Sequence, residues 1–174
     1  MALLPIITAP DPRLKVKSKP IARVDDRVRR LADDMLETMY AAPGVGLAAI
    51  QVGVAERLLV MDVARENEAP APMVLINPEI VAIGEDDRIA EEGCLSLPEH
   101  YAEVTRPAVV TVRYLDRDGK QKEMQADGLL ATCVQHEMDH LDGILFVDHI
   151  SALKRNMILR KLIKAKRLQE ADAG

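Results

Sequence analysis

Two histidines stand four residues apart in the stretch QHEMDHLDG, residues 135–143. On an α-helix this spacing places both side chains on one face, one turn apart, so that both imidazoles can bind the same metal ion. His136 and His140 are therefore candidate metal ligands. Glu137 projects about 100° around the helix from His136, where its carboxylate can act as a general acid/base beside the metal. The alternative is a solvated helix whose acids are ordinary surface charges.

A catalytic metal site of this kind needs a third protein ligand and an open fourth position. The chain has two cysteines, Cys94 and Cys133. Cys133 lies on nearly the same helix face as His136, but it is about 10.5 Å from His140 along the helix axis, too far for one ion to bind both easily. Cys94, in the stretch EEGCLSLP, is the better candidate. Its alternative role is that of a small buried hydrophobic residue.

Hydrophobic spacing and turn residues predict the elements that position these side chains. Helices are expected at 24–42, 129–141 and 151–169, the last with Ser151 as its N-cap. Strands are expected at 56–63 and 72–83, where Pro78 indicates a bulge or an edge, and a hairpin at 107–128. The segment 64–72 and the first half of 84–93 are predicted to be exposed loops.

This order of elements, with strands in the middle and helices at both ends and within, is typical of an α+β fold. We expect mostly antiparallel or mixed sheets packed around the central metal-binding helix, with an N-terminal and a C-terminal helix. The length suits a single catalytic domain, 1–174. No apolar run approaches the roughly 20 residues of a membrane span, and the start does not resemble a signal peptide. We therefore expect a cytoplasmic protein without membrane contact.

The charge is distributed unevenly along the chain. The net charge is −5, yet the segment 154–167 holds seven basic residues and no acidic one. Spacing predicts that the apolar residues of this last helix pack on the body: Leu153, Met157, Ile158, Leu162 and Ile163. Its basic residues would ordinarily form a solvated face. The functional alternative is docking on nucleic acid, whose phosphates attract Lys and Arg.

Three stretches occur in order: GVGLAAIQVG (44–53), EGCLSLP (92–98) and QHEMDHLDG. Together they closely resemble the signature motifs of bacterial peptide deformylases, which remove the formyl group from the N-terminal formyl-methionine of new polypeptides. The resemblance implies Cys94, His136 and His140 as ligands of one Fe²⁺ ion per chain, which Zn²⁺, Ni²⁺ or Co²⁺ can replace. It implies that Glu137 moves protons while metal-bound hydroxide attacks the formyl carbon.

The same resemblance implies further roles around the metal. The side-chain amide of Gln51 and the backbone N–H of Leu95 would stabilise the oxyanion, and the main chain of Val45 and Gly46 would hold the peptide as an added strand. Many relatives have an arginine where this chain has Tyr101, which offers only one hydroxyl to the peptide. We therefore expect a change in peptide affinity, with the chemistry unaffected.

A slot for the methionine side chain follows from helix spacing. Leu129, Thr132 and Cys133 lie seven, four and three residues before His136, on the metal-facing side of the helix. With Val45, they can form an apolar wall. Glu92 is a candidate hydrogen-bond acceptor for one of the ligand histidines. The equal alternative is that Glu92 has no role at the site.

Other functions remain open at this level. A metalloprotease with the HExxH motif would need a third His or Glu ligand after the helix, for which His149 is the available histidine. A non-enzymatic module with a structural metal would leave Gln51 and the glycine-rich stretch unexplained. For the basic C-terminal helix, the functional alternative to a solvated face is docking on the ribosome near the exit of the nascent chain, where the substrate of such an enzyme would emerge.

Overall fold

The computed structural model describes residues 2–173 and, over that range, combines two antiparallel sheets with three α-helices. One sheet has five strands in the order β1-β2-β3-β6-β7, and the other pairs β4 with β5. The strands are β1 (Gly46–Ala48), β2 (Leu58–Met61), β3 (Met73–Ile83), β4 (Asp87–Cys94), β5 (Leu97–Pro107), β6 (Val110–Leu115) and β7 (Gln121–Ala126). The helices are α1 (Asp26–Ala41), α2 (Gly128–Leu141) and α3 (Ala152–Ala173). The predicted α+β class is confirmed.

Helix α1 forms where the sequence predicts it and covers one face of the five-stranded sheet. The carboxylate of Asp25 accepts the backbone N–H of Val28 at 3.2 Å, which caps the helix start. Val28, Met35 and Met39 are fully buried, and they pack with β2 residues in one apolar cluster. Their spacing of seven and four residues is the amphipathic pattern that predicted the helix.

Helix α2 packs against the five-stranded sheet and is buried along most of its length. Ala131, Val134 and Leu141 join sheet residues in a second apolar cluster. The helix ends at Leu141, and Gly143, with a φ of +75°, turns the chain away just beyond it; a Cβ at Gly143 would collide with the backbone carbonyl of Lys15. The sheet and this close contact fix the helix in place, so the side chains on its remaining face are held rigidly.

Pro78 marks a bulge within a central strand and not an edge. Strand β3 lies between β2 and β6, and its pairing with β6 shifts in register between Ile76 and Glu79. At the bulge Asn77 has a φ of +49°, and its side chain exchanges two hydrogen bonds of 2.8 Å with the backbone of Ile21. Since proline cannot donate to the sheet, the bulge accommodates it.

The prediction of a loop in the first half of 84–93 is wrong from Asp87 onward. Strand β4 begins there, paired with Pro107 of β5, and continues to Cys94. The acidic composition misled the prediction, because one face of an antiparallel hairpin can be solvated while the other packs inward. Arg88 and Ile89 are exposed, whereas Glu92 is buried. The loop predicted at 64–72 is confirmed, since no strand or helix forms there.

Helix α3 extends four residues beyond its predicted end, and Ser151 caps its start by accepting the N–H of Lys154 at 3.3 Å. Leu162 is buried in a third apolar cluster that includes Phe146. Leu153 and Met157, which the spacing suggested as packing residues, are 73% and 49% exposed. No helix in the described range is both long and apolar enough to cross a membrane.

Candidate metal centre and active site

Cys94, His136 and His140 converge on one point between β4 and α2. The Nε2 atom of His140 lies 3.3 Å from the Sγ of Cys94 and 3.3 Å from the Nε2 of His136. All three donor atoms lie within 4.8 Å of one another. Ligands of a tetrahedral ion, at Zn-like bond lengths, are separated by about 3.3 Å for two nitrogens and about 3.6 Å for a nitrogen and a sulfur. The spacing therefore fits a single tetrahedral metal ion.

Charge around the donors also favours a cation. Burial lowers the pKa of His136, but the negative charges of Glu137, Cys94 and Glu92 raise it well above its ordinary value. Burial and the neighbouring His136 lower the pKa of His140 well below its ordinary value, which keeps that ring neutral, as a ligand must be. One thiolate and two imidazoles are a donor set suited to a divalent transition metal.

The second cysteine lies outside this group. The Sγ of Cys133 is 3.6 Å from the backbone carbonyl of Val45, to which it donates, and the side chain is 4% exposed. Burial raises the pKa of the Cys133 thiol well above its ordinary value, and the carboxylates of Glu137 and Glu92 add to this effect. Cys133 therefore stays protonated, whereas a metal ligand has to be a thiolate.

Glu92 fixes the orientation of His136. Its Oε1 accepts from the Nδ1–H of His136 at 2.9 Å, which leaves the Nε2 lone pair free for a metal. Arg106 donates two further hydrogen bonds to the same carboxylate, at 2.7 and 2.9 Å. Burial raises the pKa of Glu92, but the hydrogen bonds from Arg106 and His136 outweigh it and lower that pKa to about 2. Glu92 is thus a permanent anion beneath the site.

Arg106 was missed by the sequence reasoning, and it connects the site to the rest of the fold. It is only 7% exposed and also donates to Asp139 at 2.8 Å, whose carboxylate contacts the Nε2 of His149 at 2.7 Å. A signal was present: Arg106 follows the inward-facing Val104 at the two-residue period of a strand. His149 is thereby engaged with Asp139 and is not part of the metal-binding group found in residues 2–173.

Glu137 is buried beside the donors with one oxygen unpaired. The residue is 5% exposed, and its Oε1 has no hydrogen-bond partner among the described residues. Burial raises the pKa of Glu137 to about 7, although the positive charge of His136 opposes this. A carboxyl group with a pKa near neutrality can both accept and release a proton at physiological pH.

Gly46 lets β1 run directly over Glu137. A Cβ at position 46 would lie 2.6 Å from the Oε2 of Glu137 and 2.9 Å from the Sγ of Cys133. Both distances are shorter than non-bonded atoms allow, so only glycine leaves the carboxylate where it is. The glycine-rich stretch thus serves a close approach of strand β1 to helix α2.

Gln51 is a buried amide directed at Cys94, and not a surface side chain. It is 1% exposed; its Nε2 donates to Ser96 at 3.0 Å and lies 3.6 Å from the Sγ of Cys94. Its Oε1 accepts the N–H of Ala48 at 2.9 Å, which fixes the direction of the NH₂ group. Leu95 follows Cys94 in the tight turn between β4 and β5, so its backbone lies at the same site.

A cavity of about 610 Å³ opens onto these groups, and Val45, Gly46, Gln51, Leu95, Tyr101 and Glu137 are among the residues that line it. Leu129, Thr132 and Cys133 are not among its lining residues. Cys133 is covered by the strand segment of Val45 and Gly46, and Leu129 is 50% exposed near the start of α2. These three side chains therefore do not line the cavity, and the slot expected from helix spacing stays a prediction.

Tyr101 occupies the rim of the cavity above Gly93. The two residues are directly paired between β5 and β4, and a Cβ on Gly93 would lie 2.5 Å from the Cε1 of Tyr101. The ring is 64% exposed. Gly93 thus allows a close approach between β4 and the aromatic ring of Tyr101.

Comparison with known proteins decides the family. A model of the polypeptide deformylase family matches residues 3–156. The chain is 62% identical to a peptide deformylase of Agrobacterium fabrum over 96% of this chain and 98% of that one. Its fold superposes on the crystal structure of a peptide deformylase from Ehrlichia chaffeensis with a TM-score of 0.92 and 42% identity, covering 97% of this chain and 99% of that one.

The chain belongs to the polypeptide deformylase family. As a deformylase, it is a hydrolase that removes the N-terminal formyl group from nascent peptides. The metalloprotease alternative needed His149 as a third ligand, and that residue contacts Asp139 instead. A purely structural metal module is set aside by the family match and by the unpaired Glu137 oxygen beside the donors.

Proposed function

We propose that the Cys94, His136 and His140 side chains hold one catalytic divalent metal ion for the hydrolysis of the formyl amide. The single observation that carries this proposal is the meeting of three donor atoms beside a buried, unpaired carboxylate oxygen. When bound, the metal supplies Lewis acidity, which activates water and polarises the formyl oxygen. We propose Fe²⁺ as the natural ion, with Zn²⁺, Ni²⁺ or Co²⁺ as substitutes, since the donor set accepts each of them.

Glu137 would carry the proton through the reaction. Its unpaired Oε1 takes a proton from the attacking water, and the same carboxyl then gives that proton to the departing amine. The products are formate and a free N-terminal methionine. Burial supports this role, because it holds the pKa of Glu137 at about 7, between the two tasks.

The oxyanion that develops on the formyl oxygen needs hydrogen-bond donors. We assign this role to the Nε2–H of Gln51, which lies 3.6 Å from the Sγ of Cys94, and to the backbone N–H of Leu95, the next residue in the chain after Cys94. The amide of Gln51 is held in its orientation by Ala48 and Ser96, so little reorganisation is required. Removing one such donor typically costs about 2.7–4 kcal/mol of transition-state stabilisation.

The peptide would lie along Val45–Gly46 as an added strand, beside β1 at the edge of the five-stranded sheet. Val45 is 46% exposed, and both residues line the cavity. The methionine side chain would enter the predicted slot walled by Leu129, Thr132 and Cys133. Tyr101, at the rim, would contact the next residues with its ring and hydroxyl.

An assay of formate release tests the proposal. The protein is purified anaerobically, loaded with Fe²⁺ and incubated with formyl-Met-Ala-Ser. We expect formate and free Met-Ala-Ser in equal amounts, with one metal ion per chain. Cleavage of the Met–Ala bond without formate would contradict the proposal, and so would full activity in a metal-free preparation.

We further propose that the chain works in the cytoplasm as one catalytic domain, 1–174, and docks on the ribosome through the basic face of α3. Leu162 anchors α3 to the body of the protein, and the helix carries seven basic residues besides. Among the described residues, a salt bridge of 3.7 Å joins one of the seven, Arg155, to Asp148. RNA binding through such charges weakens steeply with salt.

Charge reversal tests the docking better than deletion, since deletion would remove the buried Leu162. The variant Lys161→Glu/Lys164→Glu/Arg167→Glu should lose co-sedimentation with ribosomes while keeping formate release from peptides. Unchanged co-sedimentation would rule out docking through this helix.

A further inference from the structure

Arg88 is an exposed arginine of β4 whose side chain turns toward the start of α2. It pairs directly with the buried Arg106 across the β4–β5 hairpin, and directly opposed residues share one face of a hairpin. Along β4, Arg88, Ala90 and Glu92 form one row on this face. The row packs inward at its Glu92 end, because Glu92 is buried against His136. Arg88 is therefore the outermost member of the row that approaches the metal centre.

The guanidinium of Arg88 is anchored but not neutralised. Its Nη1 donates to the Oγ1 of Thr132 at 2.8 Å. In the part of the chain that the structure describes, no carboxylate forms a salt bridge with it. Arginine carries five N–H donors, so most of them remain available in a fixed planar fork. Such a fork matches a carboxylate.

This free cation lies next to the proposed methionine slot. Thr132 is one turn before His136 on α2, and Leu129, half exposed, is nearly one turn further out. In an extended peptide, alternate side chains share a face and are about 6.8 Å apart. In a peptide that runs outward from the metal centre along α2, a methionine side chain in this slot would place the side chain of the third residue on the same side, toward Arg88.

We propose that Arg88 is a specificity-determining residue that recognises an acidic side chain at the third position of the formylated peptide. This inference rests on the proposed function. The adjacent acids Glu85, Asp86 and Asp87 are all exposed. They make the surrounding surface negative, so an acidic peptide would be disfavoured there without the arginine.

The test compares kcat/KM of the metal-loaded protein for formyl-Met-Ala-Asp, formyl-Met-Ala-Ser and formyl-Met-Ala-Lys. The wild type should prefer Asp over Ser by about three- to fivefold, the range of an exposed ion pair, and the preference should fall at high salt. Arg88→Met should reverse the preference, because the neighbouring acids then act alone. Arg88→Lys should retain part of it, and Thr132→Val should reduce it by releasing the anchor.

Arg113→Met provides a matched control, since it removes an exposed strand arginine from the other sheet. It should leave the Asp/Ser ratio unchanged. The dissociation constants of the product peptides Met-Ala-Asp and Met-Ala-Ser, measured by calorimetry, should follow the same order as kcat/KM. An Asp/Ser ratio near one in the wild type, or an equal ratio in Arg88→Met and wild type, would overturn the inference while leaving the proposed function intact. Failure to release formate from any of the peptides would overturn both.

Discussion

Helices α2 and α3 are both predicted by spacing, yet they are held in opposite ways. Helix α2 is buried by the sheet on one side and by Glu92 and Arg106 on the other, so its polar residues are fixed by hydrogen bonds. Helix α3 is held mainly by Leu162 and a few partly buried neighbours, and its basic residues are largely in solvent. The difference separates two uses of a helix: a rigid frame for chemistry and an accessible charged surface.

The largest effect is expected at the centre of α2. Glu137→Gln removes the proton carrier and should lower kcat by about 10³-fold. Metal content should remain one ion per chain, because Glu137 is not among the donors. Steady-state kinetics with metal analysis on the same sample checks this. In α3, Lys161→Gln should change kcat less than twofold, and a comparable loss there would erase the contrast between the helices.

Breaking the buried ion pairs of Arg106 should lower the free energy of unfolding. Arg106→Leu leaves the buried Glu92 without its arginine and the partly exposed Asp139 with His149 alone; removing one partner of a buried pair typically costs about 3–5 kcal/mol. It should also weaken metal binding by about 10- to 100-fold, since His136 loses its fixed orientation. Urea unfolding and metal titration measure the two effects. The exposed Arg113→Leu, as control, should stay within about 0.5 kcal/mol of the wild type.

A smaller effect on activity is expected from crowding the carboxylate. Gly46→Ala places a methyl group 2.6 Å from the Oε2 of Glu137, so the carboxyl or strand β1 must shift. A displacement of about 1 Å can cost about 10²-fold in rate, and we expect a loss of that size in kcat. Gly84→Ala is a control for adding a methyl group to a glycine without a positive φ, at an exposed position outside the cavity. Undiminished kcat in Gly46→Ala would show that β1 does not constrain Glu137.

The smallest effect is expected where α3 joins the body. Burial raises the pKa of Asp148, but hydrogen bonds from Leu145 and Lys15 outweigh it and hold that pKa below its ordinary value. A lowered folded pKa stabilises the protein above the ordinary Asp value, and this contribution is lost as pH falls through the folded pKa. Asp148→Asn should therefore reduce the free energy of unfolding by less than about 1 kcal/mol at pH 7. The two proteins should converge in acid; a difference that grows below pH 4 would contradict this.

Spacing along the chain predicted what local periodicity controls. The two histidines of α2, the apolar face of α1 and the hairpin of β6 and β7 all follow from short-range patterns. The role of Arg106 was missed, because its partners Glu92 and Asp139 are brought to it by the fold. The exposure of Leu153 was also missed, because apolar spacing along a helix does not show whether another element packs against that face.

X-ray absorption spectroscopy of the metal-loaded protein tests the central claim most directly, because it counts the sulfur and nitrogen neighbours of the ion. We expect one sulfur ligand and two imidazoles in the wild type, loss of the sulfur in Cys94→Ser, and an unchanged spectrum in Cys133→Ser. A spectrum that loses its sulfur in Cys133→Ser, or that shows no sulfur in the wild type, would contradict it.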